Sequence, residues 1–216
     1  MDSERVAAFI HSLELPESPQ RTRVRREAVL EGVPVIRPET GSLLSFFVSL
    51  LKPRRILEVG TGTGYSSLVM REAMPEDGQI DTIDNYPPRI EKAKDNIKKA
   101  GEEGHIRLIE GDAAEVLKTL QGPYDFIFMD AAKGQYIHFL PEVLRILPSG
   151  GVLFSDNVLQ DGDVLQSRFA VDRRDRTIHA RMREYLYVLK HTDGLVTSVI
   201  PIGDGAAVTV KLDIVK

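Results

Sequence analysis

The sequence predicts an α/β fold of the doubly wound kind, built on a mainly parallel sheet. From Arg54 onward, short apolar runs alternate with amphipathic helical stretches, and glycine-bearing loops separate them. That order is the signature of right-handed β-α-β crossovers. Nearly every apolar run also finishes on an acid, at Glu58, Asp84, Asp130 and Asp156. In such sheets ligands collect outside the carboxyl ends of the strands, so these acids are expected on one functional rim.

The 216 residues and formal charge of -4 suit one domain with a full core and exclude a strongly basic nucleic-acid binder. With no cysteine there is neither a disulfide framework nor a thiolate metal site, which fits a reducing cytoplasm. No apolar run is long enough to span a bilayer. The opening MDSERVAAFIHSLELPESPQ also lacks a basic region followed by a long apolar segment, so a cytoplasmic, unprocessed protein is expected.

Taken in order, Val6, Phe9, Ile10 and Leu13 share one face of a helix over residues 4–13, which Pro16 and Pro19 end. A second helix is predicted over 22–31, with Arg21, Arg23, Arg25 and Arg26 as a solvated face and Gly32 closing it. Residues 33–36 are extended, because a residue before proline avoids the helical region. Glu39, Thr40 and Gly41 then lead into an apolar helix over 42–51. These pieces form an N-terminal cap, residues 1–51, on a core of residues 52–216.

The core opens with RILEVGTGTGYSS, residues 55–67. Ile56, Leu57 and Val59 read as a buried strand, and Gly60, Gly62 and Gly64 let the backbone turn and approach a ligand. A helix over 65–73 follows, its free N–H groups facing the same space. Further strands are predicted at 80–84, 105–110, 124–130 and 151–156. Helices lie between them over 88–100, from Ala113 to near Leu120, and over 136–147. A long basic helix over 177–190 precedes the runs 195–200 and 207–212, which with the Gly203-Asp204-Gly205 turn make an antiparallel hairpin at the sheet edge.

The glycine spacing decides the class of ligand. A dinucleotide fingerprint carries glycine at its first, third and sixth positions, and the sixth from Gly60 is Tyr65, which disfavours NAD. An acid at Glu58 suits a cationic or amine-bearing ligand. Asp84, 24 positions beyond Gly60, stands where an acid accepts hydrogen bonds from ribose hydroxyls, and Asp112 with Ala113 can receive an adenine. An adenosine ligand across the first three strands accounts for these residues.

Asp130, Asp156 and Asn157 remain, at the ends of the fourth and fifth strands. Two carboxylates and an amide carbonyl are hard oxygen donors that fit Mg²⁺ or Ca²⁺ with positions left open for substrate. Lys133, on the loop leaving the fourth strand, is the candidate base. Beside a divalent cation and desolvated by substrate, its ammonium form is disfavoured.

The motifs EVGTGTGYSS, IDTID, GDA, FMDAAKGQY, SDNVL and PIGDGAAV together resemble the O-methyltransferases that depend on S-adenosylmethionine and a divalent metal, including the catechol and caffeoyl-CoA enzymes. The likeness runs from Val33 onward. Through DAAKGQY, DNVL and GDG it is similar to the bacterial tRNA 5-hydroxyuridine methyltransferases. The resemblance implies a Rossmann-like class I methyltransferase fold, with a mostly parallel seven-stranded sheet, an antiparallel C-terminal hairpin and extra N-terminal helices. It also implies that Glu58, Gly60, Gly64, Ser66 and the Ile36 backbone hold the amino-acid end of S-adenosylmethionine, that Asp84 binds its ribose and that Asp112 and Ala113 take its adenine. Asp130, Asp156 and Asn157 would ligate the metal, Mg²⁺ first among candidates, with Asp130 also beside the methyl donor and Lys133 the base. The chain departs from many relatives in having Asp84 in place of glutamate, which shortens the ribose contact by one methylene, and in having no tryptophan for a substrate wall.

Methyl transfer is displacement at a sulfonium carbon, and metal coordination both lowers the acceptor's pKa and aligns it. An acceptor with two neighbouring oxygens chelates best, whether a small catechol-like phenol or 5-hydroxyuridine in a tRNA anticodon loop. The basic segment 168–183, with Arg168, Arg173, Arg174, Arg176, Arg181 and Arg183, would track RNA phosphates or form a salt-bridged surface with Asp172, Asp175 and Glu184. The resemblance also implies a homodimer, with Val6, Phe9, Ile10 and Leu13 of the N-terminal helices either at its interface or capping their own domain. A regulatory protein that binds the adenosyl cofactor without catalysis is the alternative of another class.

Overall fold

The computed structural model describes residues 3–213. Three helices come first: α1 (Ser3–Ser12), α2 (Pro19–Leu30) and α3 (Pro38–Leu51). Strand and helix then alternate through β1 (Arg55–Val59), α4 (Tyr65–Ala73), β2 (Gln79–Asp84), α5 (Pro87–Ala100), β3 (Ile106–Glu110), α6 (Ala113–Thr119), β4 (Phe126–Met129), α7 (Tyr136–Ile146) and β5 (Val152–Ser155). α8 (Arg176–His191), β6 (Leu195–Ile200) and β7 (Ala206–Lys211) complete the chain. The sheet has seven strands in the order β3-β2-β1-β4-β5-β7-β6. Its first five strands pair in parallel, and β7 runs antiparallel to both β5 and β6. The expected parallel core and edge hairpin are both present.

The strand order creates the functional crevice. The chain winds outward from β1 to β3 and then returns to β4 on the other side of β1. The loops leaving β1 and β4 therefore diverge, and the gap above their carboxyl ends is open to a ligand.

Alternation along the strands feeds two apolar layers. Ile56, Phe126, Phe128, Val152 and Phe154 face α2, α3 and α4. Leu57, Val59, Ile127, Met129 and Leu153 face α6, α7 and α8. Because β1 obeys this period of two, Glu58 falls on the α4 side inside the strand and not on the rim, as its acidity had suggested.

Two helices start earlier than expected. α2 begins at Pro19, where Ser18 Oγ accepts the Arg21 N–H at 3.2 Å, so that proline opens a helix and does not merely close the one before. α3 begins at Pro38, with Glu39 in its first turn, for the same reason. On α1, Phe9 and Ile10 are exposed, as is Leu13 just beyond it; the side chain of Val6 lies outside the described residues.

Candidate active site

The loop after β1 is shaped by contact as much as by turning. Gly60 has φ +105°, and a Cβ there would lie 2.2 Å from the Asp130 carbonyl oxygen, so the loops leaving β1 and β4 touch at a point only glycine can occupy. Gly64, at φ +81°, serves as the N-cap of α4. The loop is held from beneath by β2: the Gly60 and Thr61 N–H groups donate to the Ile83 carbonyl at 3.0 and 3.2 Å.

Above these strand ends lies a cavity of about 460 Å³, within the range of small-molecule sites. One wall is the loop from Gly60 to Thr63 with Tyr65 and Ser66; another is Asp84 to Tyr86 with Arg89; a third is Gly111 to Ala113. Asp130 to Lys133, Gln135 and Phe139 close the far end, and Pro34 to Ile36 cover the top. Among the residues expected at the cofactor, Ile36, Gly60, Ser66, Asp84, Asp112, Ala113 and Asp130 all border this one space. Gly64 and Glu58 do not.

Glu58 lies behind the loop and is fully buried. One carboxylate oxygen accepts from Ser66 Oγ at 2.5 Å, and the other accepts from Ser67 Oγ and from Thr82 Oγ1, the latter at 2.6 Å. Burial pushes its pKa up to about 7, against the opposing pull of those three hydroxyl donors, with Asp130 adding to the rise. Its geometry ties α4 to β1 and β2 beneath the cavity.

Asp84 and Asp112 border the cavity and also accept nearby backbone N–H groups. Asp84 Oδ2 accepts the Gly62 N–H at 3.0 Å, and its Oδ1 accepts the Tyr86 N–H at 2.9 Å. Asp112 caps α6 by accepting the Ala114 N–H at 2.9 Å. Each acid therefore shapes its own loop while bordering the ligand space.

Asp130 and Asp156 follow directly on β4 and β5; Asp130 and Lys133 border the cavity, whereas Asp156 and Asn157 lie outside its lining. Their N–H groups extend the ladder, Asp130 to the Val59 carbonyl at 2.9 Å and Asp156 to the Met129 carbonyl at 3.0 Å. Buried Tyr136 ties the two strand ends together, its hydroxyl reaching the carbonyls of Met129 at 2.9 Å and Asp156 at 3.2 Å. Lys133 Nζ donates to Asp130 Oδ1 at 2.8 Å and to Asn157 Oδ1 at 2.6 Å. Asp156 is 2% exposed and is raised to about 7, by burial first and then by neighbouring Asp130, with Asp204 adding to the rise against the Asn157 N–H and Lys133.

Among the described residues no group of three or more histidine, cysteine, aspartate or glutamate side chains gathers as a metal centre. The set at issue is of another composition, two carboxylates and an amide. Its fit to a cation rests on one observation: two of its oxygens already converge on the single positive charge of Lys133, and hard oxygen donors are what Mg²⁺ prefers.

Several cavity residues carried no signal that sequence reasoning used. Tyr86 stands over Arg89, with the guanidinium 5.5 Å from the ring centroid, and the two flank the Asp84 end. An aromatic two residues after the acid and directly before two prolines was the available cue. Phe139 has helical core spacing, and nothing in the sequence separates it from its buried neighbours. The arginines of 168–183 are largely engaged with their own chain. Arg176 donates to the Val171 carbonyl, Arg181 to that of Gly134 at 3.1 Å and Arg183 to that of Val164 at 3.0 Å, while Arg174 pairs with Asp172 and Asp175.

Comparison with known proteins agrees with this fold. The sequence profile of the O-methyltransferase family matches residues 17–212. A caffeoyl-CoA O-methyltransferase of Populus kitakamiensis is 32% identical over 225 residues, covering 98% of this chain and 95% of that protein. A catechol O-methyltransferase of Niastella koreensis is 35% identical over 140 residues, covering 62% of this chain and 63% of its own. The solved structure of the O-methyltransferase TomG of Streptomyces achromogenes in complex with SAM superimposes with a TM-score of 0.85 at 26% identity, over 99% of this chain and 100% of that one. The chain belongs to the O-methyltransferase family and is an S-adenosylmethionine-dependent O-methyltransferase.

Proposed function

We propose that the chain methylates a hydroxyl with a neighbouring oxygen on a small catechol-like molecule, and that a divalent cation, Mg²⁺ first among candidates, assists. The observation that carries this reading is the convergence of Asp130 and Asn157 oxygens on Lys133, next to buried Asp156, at the end of a cavity lined by the cofactor residues. Asp130, Asp156 and Asn157 would hold the cation, which supplies Lewis acidity and alignment for the acceptor oxygen.

The chain's own groups then have distinct tasks. Asp84 and Asp112 orient the adenosyl end, while Gly60 and Ser66 border its amino-acid end. Lys133 is an ammonium while it donates to Asp130 and Asn157; having given up a proton to solvent, its amine would take the acceptor's hydroxyl proton at Nζ. The acceptor oxygen forms a bond to the methyl carbon as the carbon–sulfur bond breaks, leaving a neutral thioether and a lysine ammonium.

5-Hydroxyuridine in tRNA presents the same pair of oxygens. The bonds of Arg176, Arg181 and Arg183 to backbone carbonyls occupy donors that would otherwise be free for phosphates, which favours the small acceptor. The deciding assay supplies labelled methyl donor and Mg²⁺ with a catechol panel or with hypomodified tRNA, at low and high salt. The small-acceptor reading expects label in the catechols and little salt dependence. Label in tRNA alone, lost steeply as salt rises, would reverse it.

The exposed Phe9, Ile10, Leu13 and Leu15 support a homodimer formed through the N-terminal helices. Sedimentation of the native chain against Leu13→Glu tests this, with a shift to monomer expected for the variant.

A further inference from the structure

An asparagine amide carries one oxygen and one NH₂, and only the oxygen can face a cation. Two contacts fix which way round Asn157 sits. Its Oδ1 accepts from Lys133 Nζ at 2.6 Å, and its Nδ2 donates to Asp204 Oδ2 at 3.0 Å. Turning the amide over would set NH₂ against an ammonium and oxygen against a carboxylate, losing both bonds and creating two repulsive contacts.

Asp204 is itself held in place. Its other oxygen pairs with Arg37, whose guanidinium also donates to Asp161 Oδ1 at 2.8 Å. The turn that carries it is locked on both sides. A Cβ at Gly203 would lie 2.6 Å from Thr40 Oγ1, and one at Gly205 would lie 2.3 Å from Leu159 Cγ. Val158 and Leu159 donate their N–H groups to the carbonyls of Gly205 and Asp204 at 2.9 and 2.8 Å. The hairpin turn between β6 and β7 is thus bonded to the loop that leaves β5, and Asp204 meets Asn157 from a fixed position.

We propose that Asp204 is a positioning residue that presents the Asn157 oxygen toward the reaction centre, with Arg37 as its anchor. This rests on the reading of Asn157 as a cation donor. Partners of this kind typically change metal affinity by 10- to 100-fold when removed. A carboxylate at position 157 would offer oxygen at either end and need no such partner, so the effect of Asp204 should vanish in that background.

The test is Mn²⁺ titration by electron paramagnetic resonance on the full chain, without methyl donor or acceptor. It compares Asp204→Ala, Asn157→Ala, Asn157→Asp and the Asn157→Asp, Asp204→Ala double variant. Asp204→Ala is expected to weaken Mn²⁺ binding about tenfold, to leave S-adenosylhomocysteine affinity within about twofold, and to cause no loss beside Asn157→Asp. Equal loss in both backgrounds, or no loss with native Asn157, overturns the proposal. If Asn157→Ala weakens Mn²⁺ and Asp204→Ala does not, the positioning role alone fails. If Asn157→Ala leaves Mn²⁺ untouched, the donor reading fails and takes the positioning role with it. Should Asp204→Ala fold poorly, Asp204→Asn gives the same test at about half the free energy, about a threefold loss, again absent beside Asn157→Asp.

Discussion

Asp84 and Gly62 are bonded directly: the acid ending β2 accepts, at 3.0 Å, an N–H from the glycine loop that leaves β1. One side chain thereby shapes the loop and still borders the cavity above the strand ends. Asp84→Ala removes this bond and the one from Tyr86 N–H, each of a charge-assisted kind. It also removes the proposed charge-assisted contact to the ribose, worth about 1.5–3 kcal/mol, so a loss of about 10- to 150-fold in S-adenosylhomocysteine affinity is expected by calorimetry. Unchanged affinity would remove Asp84 from the cofactor site.

Glu58 gives stability a pH dependence with a definite sign. Its folded pKa of about 7 lies above the ordinary glutamate value of 4.5, so the native state holds the proton more tightly. The associated stability is present below about 4.5 and is lost as pH rises through about 7. Glu58→Gln removes that loss. In urea unfolding, the variant should gain about 3 kcal/mol relative to the native chain between pH 4.5 and 8, less any constant offset from altered hydroxyl bonds. A difference that does not vary with pH would contradict the buried, strained carboxylate.

Gly60 and Gly62 both have positive φ yet should respond differently to alanine. At Gly60 a Cβ meets the Asp130 carbonyl at 2.2 Å, and at Gly62 it meets nothing within 4 Å. Gly62→Ala should cost about 1 kcal/mol from backbone conformation alone. Gly60→Ala should cost about 3 kcal/mol or more, because overpacking adds to it, and should displace Asp130. Equal costs in thermal or urea unfolding would refute the loop contact.

Lys133→Ala tests the proton acceptor. Loss of a general base typically slows turnover by about 10²- to 10⁴-fold, and such a fall in kcat is expected with S-adenosylhomocysteine affinity nearly intact. A variant that keeps native turnover would reassign Lys133 to holding Asp130 and Asn157 in place.

The parts of the molecule legible in its sequence are those governed by local period. The β1 strand, the glycine loop and α4 follow from alternation, from glycine and from helical spacing. Asp84, Asp112, Asp130 and Asp156 could be placed because parallel strands put their ends on one rim. Glu58 misled because an acid in a strand reads as a ligand, whereas its burial is compensated by Ser66, Ser67 and Thr82, the last on a neighbouring strand. Asp204 was visible only as a turn residue. Its contact with Asn157 depends on β7 lying beside β5, a pairing across some fifty residues of chain that no local pattern encodes. The arginines of 168–183 left a free basic face and a salt-bridged surface both open, because charge pattern does not reveal which backbone carbonyls a guanidinium will reach.

The central claim is that oxygen donors at the ends of β4 and β5 grip a cation that activates the acceptor. The most direct measurement is methyl transfer to a catechol after EDTA treatment and after Mg²⁺ is restored, with S-adenosylhomocysteine binding followed in parallel. The account predicts turnover reduced at least about 100-fold by EDTA and recovered with Mg²⁺, while cofactor binding holds steady. Turnover that proceeds undiminished in EDTA would contradict it.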